Sequence, residues 1–310
     1  MNTDKPGTIS LYQLFELFPD EESARLHFEQ ERWPDGISCP HCGSIHIAEC
    51  KDHRPMPYRC RDCRKHFSVR TGSVLAESKV PLHTWLMTIY MLSTARKGVP
   101  STQLARELGI TQKTAWFLAH RIREAWLGQS GMTGMGPIVE VDETYIGGKE
   151  KDKHKDKKLN AGRGPVGKQT VVGMKERDGR VFAQAVESTD APTLQSFVED
   201  HAQEGATVCT DEHRSYQGMT GYNHEVVNHS AKEFVRGMAH TNGIERFWAL
   251  LKRGYYGVYH YMSKRHLHRY INEFSFRLDT AKGNTMQFIA MTIDRMKGHR
   301  LTYEMLTNAT

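Results

Sequence analysis

Two cysteine pairs constrain this chain more than any other feature. Cys39 and Cys42 form one Cys-x-x-Cys step and Cys60 and Cys63 a second, with 17 residues between them. Four thiolates at that spacing can close tetrahedrally round one structural Zn²⁺. The flanks agree with a ribbon: Gly43 follows the first step, Tyr58 to Cys60 enters the second as a short strand, and His66 to Val69 leaves it the same way. A ribbon of this size has almost no hydrophobic core, so the metal is expected to supply much of its folding energy. His41, His46, His53 and His66 are alternative ligands that read better as surface residues. Six cysteines in 310 residues are too few for a disulfide scaffold. Cys50 reads as a spare thiol and Cys209, in an apolar strand pattern, as core.

The remaining length suits two or three folded domains, with 38% hydrophobic and 25% charged residues. No apolar run approaches the roughly 18–20 residues of a membrane span. The start, MNTDKPGTISLYQLF, lacks a basic-then-apolar signal, so a cytoplasmic protein is expected, nucleoid-associated when bound to its partner. Leu11 to Phe15 and Glu21 to Phe28 read as short amphipathic helices, broken by Pro34-Asp35-Gly36. Pro81 opens an apolar helix that Gly98 and Pro100 end. Ser101 then caps one helix, Gly109 sits at a turn, and Thr111 caps a second helix running to about Ala125. Ala105, Leu108, Ile110 and Ala115 supply the small and apolar contacts of a helix-turn-helix. Gln112, Lys113 and Thr114 would face outward at the start of its second helix, where base edges are read. An ordinary helical hairpin in a scaffold is the alternative.

After a Gly-rich linker, GQSGMTGMG, the pattern turns to strands. Ile138–Ile146 alternates as a half-buried strand. Gln169 to Met174 and Val181 to Val186 follow, joined by the Asp178-Gly179 turn. Ala191 to Ala202 is helical, Thr207 to Asp211 a fourth strand, His224 to Val227 a fifth, and a long helix starts at about Asn242. This order places Asp142 in the middle of the first strand, Asp211 at the C-terminal end of the fourth, and Glu245 on the first turns of the next helix. Ligands gather at strand ends in open α/β sheets. Three such carboxylates can hold two Mg²⁺ about 4 Å apart, suited to phosphodiester chemistry. Lys252 shares a face with Glu245, and Asn242, three residues earlier, is a rival third ligand. Glu140, Glu143 and Glu212 read as solvated neighbours.

VEVDETYIGGK, TDEHRSY and HTNGIERFWALLKR together resemble the core of a bacterial insertion-sequence transposase of the Asp-Asp-Glu type. The subgroup most similar to this chain carries an N-terminal zinc ribbon. The resemblance spans residues 20 to 280 and implies a ribonuclease-H-like (integrase-type) mixed α/β fold. It also implies Asp142, Asp211 and Glu245 as ligands of two Mg²⁺ (or Mn²⁺), with Lys252 near DNA. Relatives in this broad group can use Asn as the third residue, which keeps Asn242 open. The expected activity is nicking of the element's terminal inverted repeats by hydrolysis and joining of the 3′-hydroxyl to target DNA by transesterification. A homo-oligomer, a dimer or larger, is expected on DNA, and no membrane partner.

The domains then read as a helical segment over 1–35, zinc ribbon over 36–72, helix-turn-helix over 80–127, linker over 128–136, catalytic domain over 137–285 and C-terminal helix over 286–310. Residues 246–277 carry seven Lys or Arg, among them Lys252 and Arg253, against one acid, Glu273. With Tyr255, Tyr256, Tyr259, Tyr261 and Tyr270 interleaved, the stretch suits DNA backbone contacts and base stacking, or else a solvated face over core tyrosines. Lys149 to Lys168 reads as a mobile basic loop. Competing readings are a DNA-binding regulator with a decayed catalytic domain, a nuclease that cuts without joining, and a tyrosine recombinase. The intact carboxylate set argues against the first and last, and the DNA-reading modules against the second.

Overall fold

The structure, a computed structural model, describes residues 8–50, 52–126, 133–148, 150, 154–159, 165–227 and 240–308. Most of the Gly-rich linker and nearly half of the basic loop at 149–168 lie outside the described residues. The chain divides into two compact units, Met1–Gly128 with Lys282–Thr310, and Gln129–Ala281.

The first unit begins with α1 (Leu11–Leu17) and α2 (Glu21–Arg32), each started by a reciprocal capping box, Ser10 with Gln13 and Asp20 with Ser23. A three-stranded antiparallel ribbon follows: β1 (Ile47–Glu49), β2 (Tyr58–Cys60) and β3 (His66–Phe67). It is not coreless. Trp33, just past α2, meets Tyr58 and Phe67 edge-on at ring separations of 6.0 Å, and all three are buried. Burial of each such ring contributes roughly 2–3 kcal/mol. The Tyr58 hydroxyl donates to Glu29 Oε2 (2.8 Å), which Arg25 also pairs, and Arg32 donates to the carbonyls of Val69 and Thr71. The ribbon thus borrows its core from α2.

Next come α3 (Leu82–Thr94), α4 (Ser101–Leu108) and α5 (Gln112–Ala125). The expected cap moves by one residue: Pro100 occupies the N-cap of α4 and Ser101 is its first helical residue, where its hydroxyl accepts from the Gln112 amide (2.9 Å). Gly109 ends α4 in the left-handed region at φ +63°, and Thr111 caps α5 through the Thr114 N–H (3.2 Å). Two helices from the far end of the chain complete this unit, α9 (Thr285–Arg295) and α10 (Tyr303–Thr307). The Trp126 indole donates to Thr292 (3.2 Å), and Ser73 bridges to Lys297. Residues 282–310 therefore fold back into the N-terminal unit instead of standing alone.

The second unit is a five-stranded sheet in the order β6-β5-β4-β7-β8. Its strands are β4 (Ile138–Ile146), β5 (Gln169–Glu176), β6 (Val181–Val186), β7 (Thr207–Thr210) and β8 (Asn223–Val226). The first three run antiparallel, while β7 and β8 run parallel to β4. The crossover from β6 to β7 is α6 (Ala191–His201), and α7 (Asn242–Gly254) and α8 (Leu267–Asp279) follow β8. Two hydrophobic layers cover the two faces. Val139, Val141, Val172 and Met174 pack with Leu194, Phe197 and Val198 of α6. Ile146 and Val171 pack with Ile244, Phe247, Trp248 and Leu251 of α7 and with α8. Alternation along β4 therefore turns Val139 and Val141 toward α6, and Glu140 and Asp142 toward α7. The antiparallel hairpin pair, crossover helix and parallel strands are the topology of the ribonuclease-H-like fold.

Candidate active site

Asp142 sits at the centre of β4, opposite Gly173 of β5. The β4–β7 register pairs Val139 with Val208 and Glu140 with Cys209; continued by two residues, it brings Asp211, just past the end of β7, level with Asp142. Burial, then the charges of Glu143 and Asp211, push the Asp142 carboxyl up to about 7. The Trp248 indole donates to Asp142 Oδ2 at 2.9 Å. Gly173 makes room for that ring, since a Cβ there would lie 2.7 Å from Trp248 Cη2. Asp211 is oriented by its own turn, its Oδ1 accepting the His213 backbone N–H (2.9 Å).

Two of the acids read as solvated are not. Glu143 has a buried side chain, accepts from the buried Tyr216 hydroxyl (2.9 Å) and faces His213 Nε2 (3.7 Å). Burial raises its carboxyl as well. Glu140 is 1% exposed and accepts the backbone N–H groups of Gly243 (2.6 Å) and Ile244 (3.0 Å) at the start of α7. Arg177 Nε (3.3 Å) and His240 Nδ1 (3.1 Å) stand against its other oxygen. A single sequence shows that Glu140 and Asp142 share a face of β4, but not that a helix N-terminus covers it. Glu212 alone of the three is exposed.

Glu245 and Asn242 are both exposed on the first turns of α7, and Glu245 Oε1 accepts from the Thr241 hydroxyl (3.0 Å). Asp142, Asp211 and Glu245 do not close into a three-ligand cluster; among the described residues only Cys39, Cys42, Cys60 and Cys63 do so. Lys252, one turn beyond Trp248, is half-buried: desolvation lowers its pKa against the opposing pull of Asp142. Arg253 is exposed. Of the interleaved tyrosines, Tyr255 and Tyr270 are core, and Tyr259 donates to the buried Glu273 (2.8 Å). Tyr256 and Tyr261 are 45% and 72% exposed. Arg269 and Arg277 are buried, Arg277 pairing with Glu273 at 2.7 Å, so the run of positive charge is not one solvated face.

In the first unit, the four cysteine sulfurs lie within 4.8 Å of one another, with Cys39–Cys63 and Cys42–Cys60 separations of 3.6 Å. A Zn–S bond of about 2.3 Å gives a tetrahedral S–S edge of about 3.8 Å, so the four sulfurs fit a zinc ion. The residues after each knuckle, Gly43 and Arg64, both adopt positive φ, +77° and +60°. The backbone N–H of Cys63 holds the Cys60 thiol down at about 6. Cys209 is buried, as its strand pattern implies, and Cys50 stays outside the cluster. At the start of α5, Gln112 and Lys113 are exposed and Thr114 half-buried; the Lys113 ammonium lies over the Tyr303 ring at 4.4 Å.

Residues 133–279 match the ISXO2-like transposase domain, and residues 19–66 match the transposase zinc-ribbon domain. Both are domains of insertion-sequence transposases: the chain carries a DDE-type DNA transposase domain and an N-terminal zinc ribbon. A Halobacterium salinarum protein, named as an uncharacterized protein in transposable element ISH50, is 28% identical over 273 residues, covering 84% of this chain and 91% of that one. Two solved structures also align, the Mos1 strand transfer complex (TM-score 0.29) and a pre-cleavage Mos1 transpososome (TM-score 0.25). Both are 14% identical, over 68% of this chain and 74% of theirs. No helix among the described residues is long and apolar enough to cross a membrane.

Proposed function

We propose that this transposase binds the terminal inverted repeats of its element, nicks the ends by hydrolysis and joins each 3′-hydroxyl to target DNA by transesterification, with Asp142, Asp211 and Glu245 as its catalytic carboxylates. The observation that carries this is the level placement of Asp142 and Asp211 across two parallel strands, with α7 held against Asp142 by Trp248. Two carboxyls whose charges repel, one of them pushed up to about 7, form a donor set that a hard divalent cation would relieve. Asp142 and Asp211 offer the hard oxygen donors that Mg²⁺ takes, and Glu245, one turn before Trp248 on α7, would complete the set by closing towards them, since the three do not form a cluster as they stand. Bound there, Mg²⁺ would lower the pKa of the attacking hydroxyl and offset charge on the leaving oxygen.

The chain's own groups do the rest. Trp248 fixes one oxygen of Asp142, and His213 does so for Asp211 through its backbone. Lys252 offers a cation beside Asp142 for a phosphate oxygen. In the first step water attacks phosphorus and the P–O3′ bond breaks, leaving a 3′-hydroxyl. In the second that hydroxyl attacks a target phosphodiester and displaces the target's own 3′-oxygen. Gln112, Lys113 and Thr114 contribute sequence readout, while Lys252 and Arg253 contact the backbone. Two ends must meet for joining, so the active species is a dimer or larger.

Cleavage and joining of end oligonucleotides test the assignment. Glu245→Gln should abolish both steps and Asn242→Ala should be milder; the reverse order would transfer the third place to Asn242. Joining of a phosphorothioate of one configuration should invert it. Retention, or a covalent adduct trapped through a tyrosine, would overturn direct attack.

A further inference from the structure

We propose that Glu140 is a positioning residue of the catalytic centre, a buried carboxylate that sets α7, and with it Glu245 and Trp248, against Asp142. The inference rests on the assignment of Asp142, Asp211 and Glu245 above and adds to it the group that fixes where the third of them stands.

The first N–H groups of a helix need acceptors, and a side chain at the N-cap usually supplies one. In α7 that position is Thr241, whose side chain makes no such bond. Its hydroxyl donates to Glu245 instead. Glu140 takes over the vacated task from β4, accepting from Gly243 and Ile244, the second and third residues of the helix. A carboxylate is also the favoured charge at the positive end of a helix dipole. The exchange explains the local sequence His240-Thr241-Asn242-Gly243-Ile244-Glu245. Glycine at 243 is dictated by the acceptor, because a Cβ would lie 2.6 Å from Glu140 Oε2.

A buried carboxylate keeps its charge only if it is paired. Arg177 donates to His240 Nε2 (2.7 Å), which leaves Nδ1 to carry the proton facing Glu140 Oε1. Arg177 also approaches that oxygen directly. Its backbone N–H donates to the Ile138 carbonyl (3.1 Å), which ties the network to the start of β4. Glu140 and Asp142 are two residues apart on one strand face. One pins the start of α7, and the other receives Trp248 one turn and a half along it. Strand and helix are therefore held at two points, and Glu245 lies on the segment between them.

Glu140→Gln keeps an acceptor but loses the charge. Gly243→Ala drives a methyl into the carboxylate without altering a charged group. We expect each variant to fold, to bind end DNA as the wild type does, to weaken Mn²⁺ binding in calorimetry by about tenfold or more, and to slow nicking with it. The double variant should be no worse than the stronger single one, because both break the same contact. Wild-type Mn²⁺ affinity and nicking in folded Gly243→Ala would overturn the proposal, as would strictly additive losses. A defect in Glu140→Gln with none in Gly243→Ala would make Glu140 a direct ligand and overturn it too. Asp142→Asn and Asp211→Asn in the same series separate the two ideas: if they still nick, the carboxylate assignment has failed, not the role of Glu140.

Discussion

Asp142→Asn should stabilise the protein in the absence of Mg²⁺ while removing its chemistry. The Asp142 carboxyl moves from an ordinary 3.8 to about 7 in the fold. At about 1.4 kcal/mol per pH unit, keeping it ionised costs about 4 kcal/mol at pH 8, and solvent reaching a half-buried group brings this nearer about 2 kcal/mol. Because the folded value lies above the unfolded one, its contribution to stability is complete below about pH 4 and is lost as pH rises through 7. Asparagine has no proton to lose, and its amide oxygen can still accept from Trp248. Urea unfolding at pH 5 and pH 8, with zinc retained and no Mg²⁺ added, reads the difference. The wild type should lose about 1 kcal/mol between the two pH values relative to the variant, the remainder having gone by pH 5, and Mg²⁺ should restore the wild type alone. Equal pH dependence in both proteins would refute the reasoning that burial and carboxylate repulsion load this site.

Cys60→Ser should release the zinc, measured as metal per chain, and expose the ribbon strands to proteolysis. Unchanged metal content would remove the four-cysteine site. Gly173→Ala should cost about 1–3 kcal/mol, seen in the urea midpoint, because its methyl meets the Trp248 ring at 2.7 Å. Gln112→Ala and Thr114→Ala should narrow the affinity ratio between end DNA and unrelated DNA, whereas Lys252→Ala should weaken both about equally. An intact ratio would make α5 a scaffold helix.

Local patterns carried much of this structure. The alternation of Ile138 to Ile146, the Asp178-Gly179 turn and the Gly109 and Thr111 signals all specify short-range backbone geometry, and the elements fall where they indicate. The cysteine spacing works the same way, because a knuckle is a local turn. What escaped depends on distant partners. Glu140 and Glu143 look like ordinary surface acids until α7 and the Tyr216 turn cover them. Tyr255, Tyr259 and Tyr270 read equally as stacking or core residues, and α8 decides for core. Nothing local shows that residues 282–310 return to α3, or that the ribbon takes Trp33 as its core. Glu245 lies between these cases: its helix is legible, but its distance from the aspartates depends on how that helix docks.

The most direct test of the central claim is the cleavage and joining of an end oligonucleotide in Mg²⁺ by Asp142→Asn and Asp211→Asn, with binding to the same DNA measured alongside. An amide cannot offset the charge of a divalent cation, so both variants should bind the end nearly as the wild type does and neither nick nor join it. Nicking or joining at the wild-type rate by either variant, or by the wild type in EDTA, would contradict it.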